Sequence, residues 1–414
     1  FKLTAAPFVC RKNGTPSAPM PRIQSRRLCA ALLSAVSLPF LYFVSDNVLF
    51  PSVSTDPQPV HIHIARVCDP VNNVFFFKTH KTGSSTVFNI FLRYAEEHNR
   101  TVVVPAGGTN LLNYPKLFKE EFMFNYSLIH RRPEIFAVHT RLDINEVRRV
   151  MPNDTKFVTI VRHPTATFES GYSYFMFEKV TKLNVSGLVS NPQALQKMKK
   201  RIFASWFGFN QLYYDLGFTE NFLESPAEQA QRAINLLEKN FDVVLVAELM
   251  EESLILLKDK LCWDLESVVS FRHNERNASH FKKILDEDLF ATLQDLNSID
   301  FRIYRHFLDK LLANMHAYGD RRMFNDVQKL KERNHLWYNL CVSHQKHGYG
   351  KTILYVPTNN SYPICNRLIA TENGYLAKFR RLYKSELKKL VKTNSTSSKR
   401  KITKRRKPKK KGVH

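Results

Sequence analysis

The sequence predicts an α/β fold, a P-loop-like parallel sheet flanked by helices, and three observations support it. Short apolar segments that suit buried strands alternate with segments of helical periodicity. Two of these strands, 74–77 and 157–161, end abruptly in polar turns that carry cations and hydroxyl residues. Because ligands of parallel sheets bind at the carboxyl ends of the strands, the two turns predict one binding site.

The remaining elements follow in chain order. Strands are predicted at 74–77, 136–138, 157–161 and 243–247, and the predicted helices include 227–239 and 285–297. Residues 334–380 contain two cysteines and are expected to form an ordered cap. These segments together predict a single catalytic domain at 61–380. The Lys- and Ser-rich sequence of 381–414 predicts a basic disordered tail.

An apolar segment near the N-terminus predicts a membrane anchor. Residues 28–44 would form a helix roughly 26 Å long, just enough to cross a thin membrane. Arginines precede this segment, so the positive-inside rule places 1–27 in the cytosol and the rest of the chain in a lumen, behind a stem at 45–60. A cleaved signal peptide is the alternative. Met20 is an alternative start, which would leave 1–19 outside the native protein.

The charge of the chain narrows the class of ligand. The net charge is +25 at pH 7, and the last sixteen residues contain ten Lys or Arg. Such an excess favours anionic partners: an anionic donor, anionic glycans or a membrane surface. Nucleic acid is the obvious rival, but the sequence contains no recognition-helix, zinc-finger or aromatic RNA-binding pattern. We therefore predict no nucleic-acid partner.

Cysteines and glycosylation sequons agree with a luminal location. Four cysteines follow the predicted anchor, and an even number in an oxidising compartment predicts two disulfides, with three pairings open, among Cys68, Cys262, Cys341 and Cys365. Their spacing matches no zinc pattern, and no metal is predicted. Seven Asn-x-Ser/Thr sequons also follow the anchor, at Asn99, Asn125, Asn153, Asn184, Asn277, Asn359 and Asn394.

The most informative segment is the turn after the first predicted strand. It reads Lys78-Thr79-His80-Lys81-Thr82-Gly83-Ser84-Ser85-Thr86 and is followed by a helical pattern. Backbone N–H groups at a helix N-terminus favour a phosphate, and a lysine and hydroxyls can complete the site. We therefore expect an anionic group to bind Thr82, Gly83, Ser84, Ser85 and Thr86. Lys81 precedes the glycine, whereas the lysine of a triphosphatase P-loop follows it, which argues against an ATP-dependent kinase.

A second motif follows the strand at 157–161. Arg162 ends that strand, Pro164 suits the first turn of a helix, and Ser170 lies two turns further on. An arginine fork and a serine hydroxyl so placed can both bind one phosphate. The two motifs together predict a donor that carries two separated phosphate groups.

The two motifs resemble those of the sulfotransferases, and further segments narrow the resemblance to the galactose 3-O-sulfotransferases, the branch that contains galactosylceramide sulfotransferase. The similar segments are 78–86, 113–115, 139–142, 162–164 with 168–170, 251–257 and 261–265. The resemblance spans about 71 to 333. His163 departs from the acidic residue usual in the family.

This resemblance implies the sulfotransferase fold and a function. The donor would be 3′-phosphoadenosine 5′-phosphosulfate (PAPS), and the acceptor the 3-hydroxyl of galactose in a glycolipid or glycoprotein. Lys81 would be catalytic, and Arg162 and Ser170 would bind the 3′-phosphate. The protein would be a single-pass type II protein of the Golgi membrane. The alternatives are sulfation of another glycan hydroxyl, such as the 2-hydroxyl of a uronic acid, and a non-catalytic protein that binds anionic glycans.

Two histidines are candidates for the general base that takes the proton of the acceptor hydroxyl. His139 follows a predicted strand and matches a histidine given this role in related glycan 2-O-sulfotransferases, so it is preferred. His80 lies beside Lys81 and is the second candidate. Lys78 and Arg141 are further candidates for binding the sulfate, with solvent-exposed side chains as the alternative.

Overall fold

The computed structural model describes residues 68–191, 193–194, 207–221, 223–273, 275, 287–349, 352–359 and 362–405. The predicted anchor at 28–44 and the predicted stem at 45–60 lie outside these residues. Within the described part of the chain, no helix combines the length and the apolar character that crossing a membrane requires.

A four-stranded parallel sheet forms the centre of the fold. Its strands are β1 (Val74–Phe77), β2 (Ile135–Phe136), β3 (Lys156–Val161) and β4 (Val243–Val246), in the order β2-β1-β3-β4. The chain leaves β1 toward one edge and returns to build the other edge from β3 and β4. In sheets wound in this way, ligands bind at the carboxyl ends of the strands where the order reverses, here between β1 and β3.

The predicted strands are confirmed with small differences. β1 has the predicted bounds, whereas the strand predicted at 136–138 is only two residues long. The backbone after it leaves the sheet and instead runs parallel to the loop before it, through isolated bridges that join Leu111 to His139 and Leu117 to Arg141. β4 ends one residue early, because Ala247–Leu249 forms a 3₁₀ turn.

Helices connect the strands of the sheet, and more helices follow its last strand. They are α1 (Ser84–Glu97), α2 (Ile144–Val150), α3 (Pro164–Tyr174), α4 (Phe177–Thr181), α5 (Val185–Val189), α6 (Gln211–Asp215), α7 (Pro226–Asn240), α8 (Met250–Leu261), α9 (Leu265–Val268), α10 (Glu287–Leu296), α11 (Ser298–Tyr318), α12 (Asp320–Cys341), α13 (Pro363–Leu368) and α14 (Glu372–Arg405). α7 and α10 correspond to the predicted helices 227–239 and 285–297. Between α12 and α13, β5 (Val342–His347) and β6 (Ile353–Pro357) form an antiparallel pair.

Aromatic packing holds β1 at the centre of the sheet. Phe75 is fully buried, and its ring makes edge contacts with Phe136 of β2 at 4.9 Å and with Phe157 of β3 at 5.2 Å. Each such contact adds roughly 0.5–1.5 kcal/mol to the gain from burying the rings. β1 therefore holds the loop that follows it on a rigid support.

The structure selects one of the three disulfide pairings. Cys68 pairs with Cys262, which joins the segment before β1 to the end of α8. Cys341 pairs with Cys365, which joins the end of α12 to α13.

α14 continues to Arg405, past residue 381, where the sequence predicts the start of a disordered tail. Tyr375, Phe379 and Tyr383 recur at helical spacing along it and are buried in the main core. The Tyr383 hydroxyl accepts a hydrogen bond from Val102 N at 2.7 Å. Leu387 and Leu390 continue these apolar positions against the same core, and the exposed Lys384, Lys388 and Lys389 lie between them. This part of the helix is therefore amphipathic and docks on the domain.

Candidate active site

The anion loop, residues 78–86, connects β1 to α1 and is shaped by its own side chains. Thr79 Oγ1 donates to the carbonyl of Ile160 in β3 at 2.7 Å, and Ser84 Oγ donates to the carbonyl of Thr79 at 2.7 Å. Gly83 has φ +78°, and a Cβ there would lie 3.1 Å from the Met250 side chain. A glycine suits this position both for its backbone angle and for the narrow space.

The four predicted hydroxyls take part in contacts within the protein. Thr82 bonds Thr79, and Ser84 bonds the carbonyl of that same residue. The Thr86 hydroxyl accepts from the backbone N–H of His273 at 3.1 Å. The hydroxyls therefore stabilise the loop, and the first amides of α1 supply the groups that favour an anion.

The two sequence motifs meet in the structure. Arg162, which follows β3, donates from Nη1 to the carbonyl of Lys81 at 2.9 Å. The Lys81 ammonium lies 3.6 Å from the centroid of the Tyr174 ring, at the end of α3. Two cations and the start of α1 therefore lie together at the β1–β3 crevice.

Buried hydroxyls line α3 beyond Arg162. Ser170 is buried, and Thr167 lies one turn before it on the same face of the helix. Within the described part of the chain, the hydroxyls of Thr165 and Thr167 have no hydrogen-bond partner. Buried polar groups usually have a partner, so the Thr167 hydroxyl, on the same face as Ser170, fits a site that receives a polar ligand such as a phosphate.

His80, which is partly exposed, pairs with the buried carboxylate of Asp215, the last residue of α6. His80 Nδ1 lies 2.8 Å from Asp215 Oδ2, while the other carboxylate oxygen accepts from the Tyr114 hydroxyl at 2.7 Å and from Gln211 Nε2 at 2.8 Å. The carboxylate thus holds a proton on Nδ1 of the imidazole. This arrangement leaves the lone pair on Nε2, which is the tautomer that a general base needs.

His139 stacks on His80 at 4.4 Å between ring centroids, but its two nitrogens have other partners. Nδ1 donates to the carbonyl of Lys78 at 3.0 Å, so Nε2, 3.0 Å from Lys78 Nζ, accepts from that ammonium. Burial, and then the charge of Lys78, lower the pKa of His139 well below its ordinary value. The lone pair of this histidine is therefore already occupied.

Comparison with known proteins identifies the family of the chain. A family model described as Galactose-3-O-sulfotransferase matches residues 17–353. The chain belongs to this family. Membership confirms the resemblance found in the motifs and the predicted class of enzyme, a sulfotransferase.

Curated relatives share about a third of their residues with the chain. Galactose-3-O-sulfotransferase 2 of Homo sapiens is 33% identical over 279 residues, which cover 66% of this chain and 69% of the relative. Galactosylceramide sulfotransferase of Homo sapiens is 33% identical over 285 residues, 66% of this chain and 65% of the relative. Galactose-3-O-sulfotransferase 3 of Homo sapiens is 32% identical over 291 residues, 68% of this chain and 64% of the relative. The aligned region thus spans about two thirds of each relative.

A helix beyond the part matched by the family model also reaches the anion loop. Glu372, the first residue of α14, lies 3.0 Å from Lys78 Nζ through Oε1. The same oxygen accepts from Ser85 Oγ at 2.5 Å, and Oε2 accepts from Asn110 Nδ2 at 3.2 Å. Lys78 is therefore a buried, paired cation, so a solvent-exposed position is ruled out for it.

Arg141 has a structural role in the described chain. Its guanidinium donates to the carbonyls of Tyr214 at 3.0 Å and Phe218 at 2.7 Å, and it stacks 4.0 Å from the Tyr214 ring. It thereby ties the segment after β2 to α6, which carries Asp215. No cluster of residues suited to hold a metal ion occurs among the residues described.

Sequence reasoning missed Asp215 and Glu372. Asp215 contacts His80, which is 135 positions away, and Glu372 contacts Lys78, which is 294 positions away. Neither residue belongs to a recognisable motif. The sequence offered one partial signal, the prediction of an ordered cap at 334–380, a range that includes Glu372.

Proposed function

We propose that this protein transfers a sulfuryl group from PAPS to the 3-hydroxyl of galactose in a glycolipid or glycoprotein, at the luminal side of the Golgi membrane. Two of its relatives are named galactose-3-O-sulfotransferase 2 and galactosylceramide sulfotransferase. The observation that carries the proposal is the contact of Arg162 with the Lys81 carbonyl, which joins two anion-binding motifs at the β1–β3 crevice.

The residues at the crevice fit a donor with two phosphate groups. The amides at the start of α1 would bind the 5′-phosphosulfate, with Lys81 beside the oxygen that leaves. Arg162 and Ser170 would bind the 3′-phosphate. The Thr167 hydroxyl, which has no hydrogen-bond partner among the described residues, lies on the same helix face as Ser170. Sulfuryl transfer resembles phosphoryl transfer, in which positioning and positive charge supply most of the catalysis.

His80 is the general base in this proposal, in place of the preferred sequence candidate. Asp215 orients His80 so that its Nε2 can take the proton of the acceptor hydroxyl while the hydroxyl oxygen bonds to sulfur and the bond from sulfur to the leaving phosphate oxygen breaks. His139 instead accepts from Lys78, so it orients that ammonium and offers a flat surface to the ring of His80.

The function is tested by transfer of labelled sulfate from PAPS by the full chain in detergent. The acceptors are galactosylceramide, a β-galactosyl oligosaccharide and a uronic-acid glycan. Substitution of the galactose 3-hydroxyl removes both vicinal diols of a terminal galactose, so the expected product resists periodate. Transfer to the uronic acid, or a galactose product that periodate cleaves, would contradict the proposed acceptor.

Two variants assign the activity to the crevice. Lys81→Ala is expected to lose at least roughly 10²-fold in kcat, because it removes the cation beside the leaving oxygen. Lys329→Ala is the matched control, since Lys329 is exposed and pairs with Asp326 on α12. Equal activity of the two variants would place the chemistry elsewhere.

The luminal location has its own measurement. Asn99, Asn125 and Asn153 are exposed sequon residues of the described domain. Removal of N-glycans by a glycosidase is expected to lower the apparent mass of the protein isolated from cells. An unchanged mass would argue against passage through the secretory pathway.

A further inference from the structure

We propose that Glu372 is a positioning residue of the donor site, which fixes the ammonium of Lys78 and the hydroxyl of Ser85 at the anion loop. This inference rests on the proposed function, because it assigns the loop to the donor. It extends the site to α14, which begins after the last residue matched by the family model, 353.

The contacts of Lys78 account for every proton of an ammonium group. Its Nζ lies 3.2 Å from Ser84 Oγ, 3.0 Å from His139 Nε2 and 3.0 Å from Glu372 Oε1. Ser84 donates its own proton to the carbonyl of Thr79, and His139 carries its proton on Nδ1, so both accept from Lys78. An ammonium has three donors, and a neutral amine has only two. The geometry therefore requires a charged Lys78.

Glu372 compensates for the burial of that charge. The Lys78 side chain is 2% exposed and the Glu372 side chain 11% exposed. Burial lowers the pKa of Lys78, and the carboxylate of Glu372 raises it. An isolated buried ammonium loses its proton more readily, so removal of the carboxylate would leave a neutral amine and one broken contact.

The same carboxylate connects three parts of the site. Oε1 accepts from Ser85 in the first turn of α1, and Oε2 accepts from Asn110 in the loop that runs beside His139. Lys78 directly follows β1 and also contacts His139, the ring that stacks on His80. Glu372 thus connects the donor loop to the histidine pair through one cation.

The protonation of Lys78 and Glu372 depends on the charged and titratable groups that surround them. Among the described residues, Glu372 is the principal group that raises the pKa of Lys78. Its removal therefore leaves the Lys78 ammonium with no anion among its principal electrostatic neighbours in that part of the chain. Among the described residues, Lys78 also acts on His139, and Glu372 acts on Tyr174 and His273. His80 and Lys81 in turn act on His139.

The test compares the pH dependence of donor-site binding in Glu372→Gln and in wild type. Calorimetry of the full chain with adenosine 3′,5′-bisphosphate from pH 6 to 10 reports binding without turnover, and kcat/KM with PAPS is measured in parallel. The alkaline loss of affinity is expected to move to lower pH by about one unit or more, the effect of removing an opposite charge at this distance. Glu372→Asp keeps the charge and is expected to recover part of that shift.

Glu386→Gln is the matched control, because Glu386 lies on the same helix and pairs with Arg131 at 3.1 Å. If the substitution only loosened α14, both glutamine variants would change in affinity for the bisphosphate, and the pH at which affinity is lost on the alkaline side would stay where it is in wild type. That result would overturn the proposal. Tighter binding by Glu372→Gln at every pH would show instead that the carboxylate competes with the donor, which also overturns it. If wild type binds no bisphosphate, the proposed function fails, independently of Glu372.

Discussion

Replacing His80 by Gln is expected to remove most of the sulfuryl transfer, whereas the same replacement at His139 is expected to retain it. Glutamine cannot take the acceptor proton, so the first variant lacks the base. At position 139 the amide oxygen of glutamine can still accept from the Lys78 ammonium, as Nε2 does now at 3.0 Å. The matched pair thus separates proton transfer from the support of Lys78.

The expected magnitudes follow from these contacts. A positioned general base contributes roughly 10²–10⁴ in rate, which is about 3–5 kcal/mol of barrier. His80→Gln is expected to lose this amount in kcat, and His139→Gln less than about tenfold. Asp215→Asn is expected to lose roughly 10²-fold or more, because an amide N–H turned toward His80 Nδ1 favours the wrong tautomer.

The assay is kcat and KM for the galactoside at saturating PAPS, with circular dichroism to confirm that each variant is folded. Imidazole added to His80→Ala is expected to restore part of the rate, since it can occupy the vacated place and accept the proton. A large loss in kcat for His139→Gln, together with a small loss for His80→Gln, would refute the assignment.

Two further predictions concern stability. Tyr383→Phe is expected to lower the free energy of unfolding by about 1–3 kcal/mol in urea titrations, because the buried N–H of Val102 loses its acceptor; unchanged stability would contradict the docking of α14. Burial lowers the pKa of His273 to about 4 from its ordinary 6.5. Between these two pH values the unfolded chain binds more protons than the folded chain. The free energy of unfolding of the wild type is therefore expected to fall by up to about 3 kcal/mol as the pH falls from 6.5 to 4. His273→Gln, which can still donate to the Leu368 carbonyl, is expected to flatten that slope, and equal slopes would contradict the reasoning.

The sequence alone was sufficient for features whose cause is local. β1 is a run of apolar residues long enough for one strand, and the turn after it carries its own hydroxyls and a glycine at the position that needs positive φ. β3 is likewise a short apolar run, and Arg162 directly follows its last residue. Parallel strands share one ligand edge, so both motifs could be placed in one site without knowledge of their contacts.

Only the tertiary structure decided which distant groups meet. Periodicity identifies the buried face of an element but not its partner, so the disulfide pairing and the docking of α14 could not be derived from it. The same limit applied to the histidines: His80 and His139 were equivalent in type, and their difference lies in Asp215 and Lys78, each brought there by the fold. A side chain's protonation and orientation depend on its three-dimensional neighbours, and those neighbours, unlike the loop itself, come from remote parts of the chain.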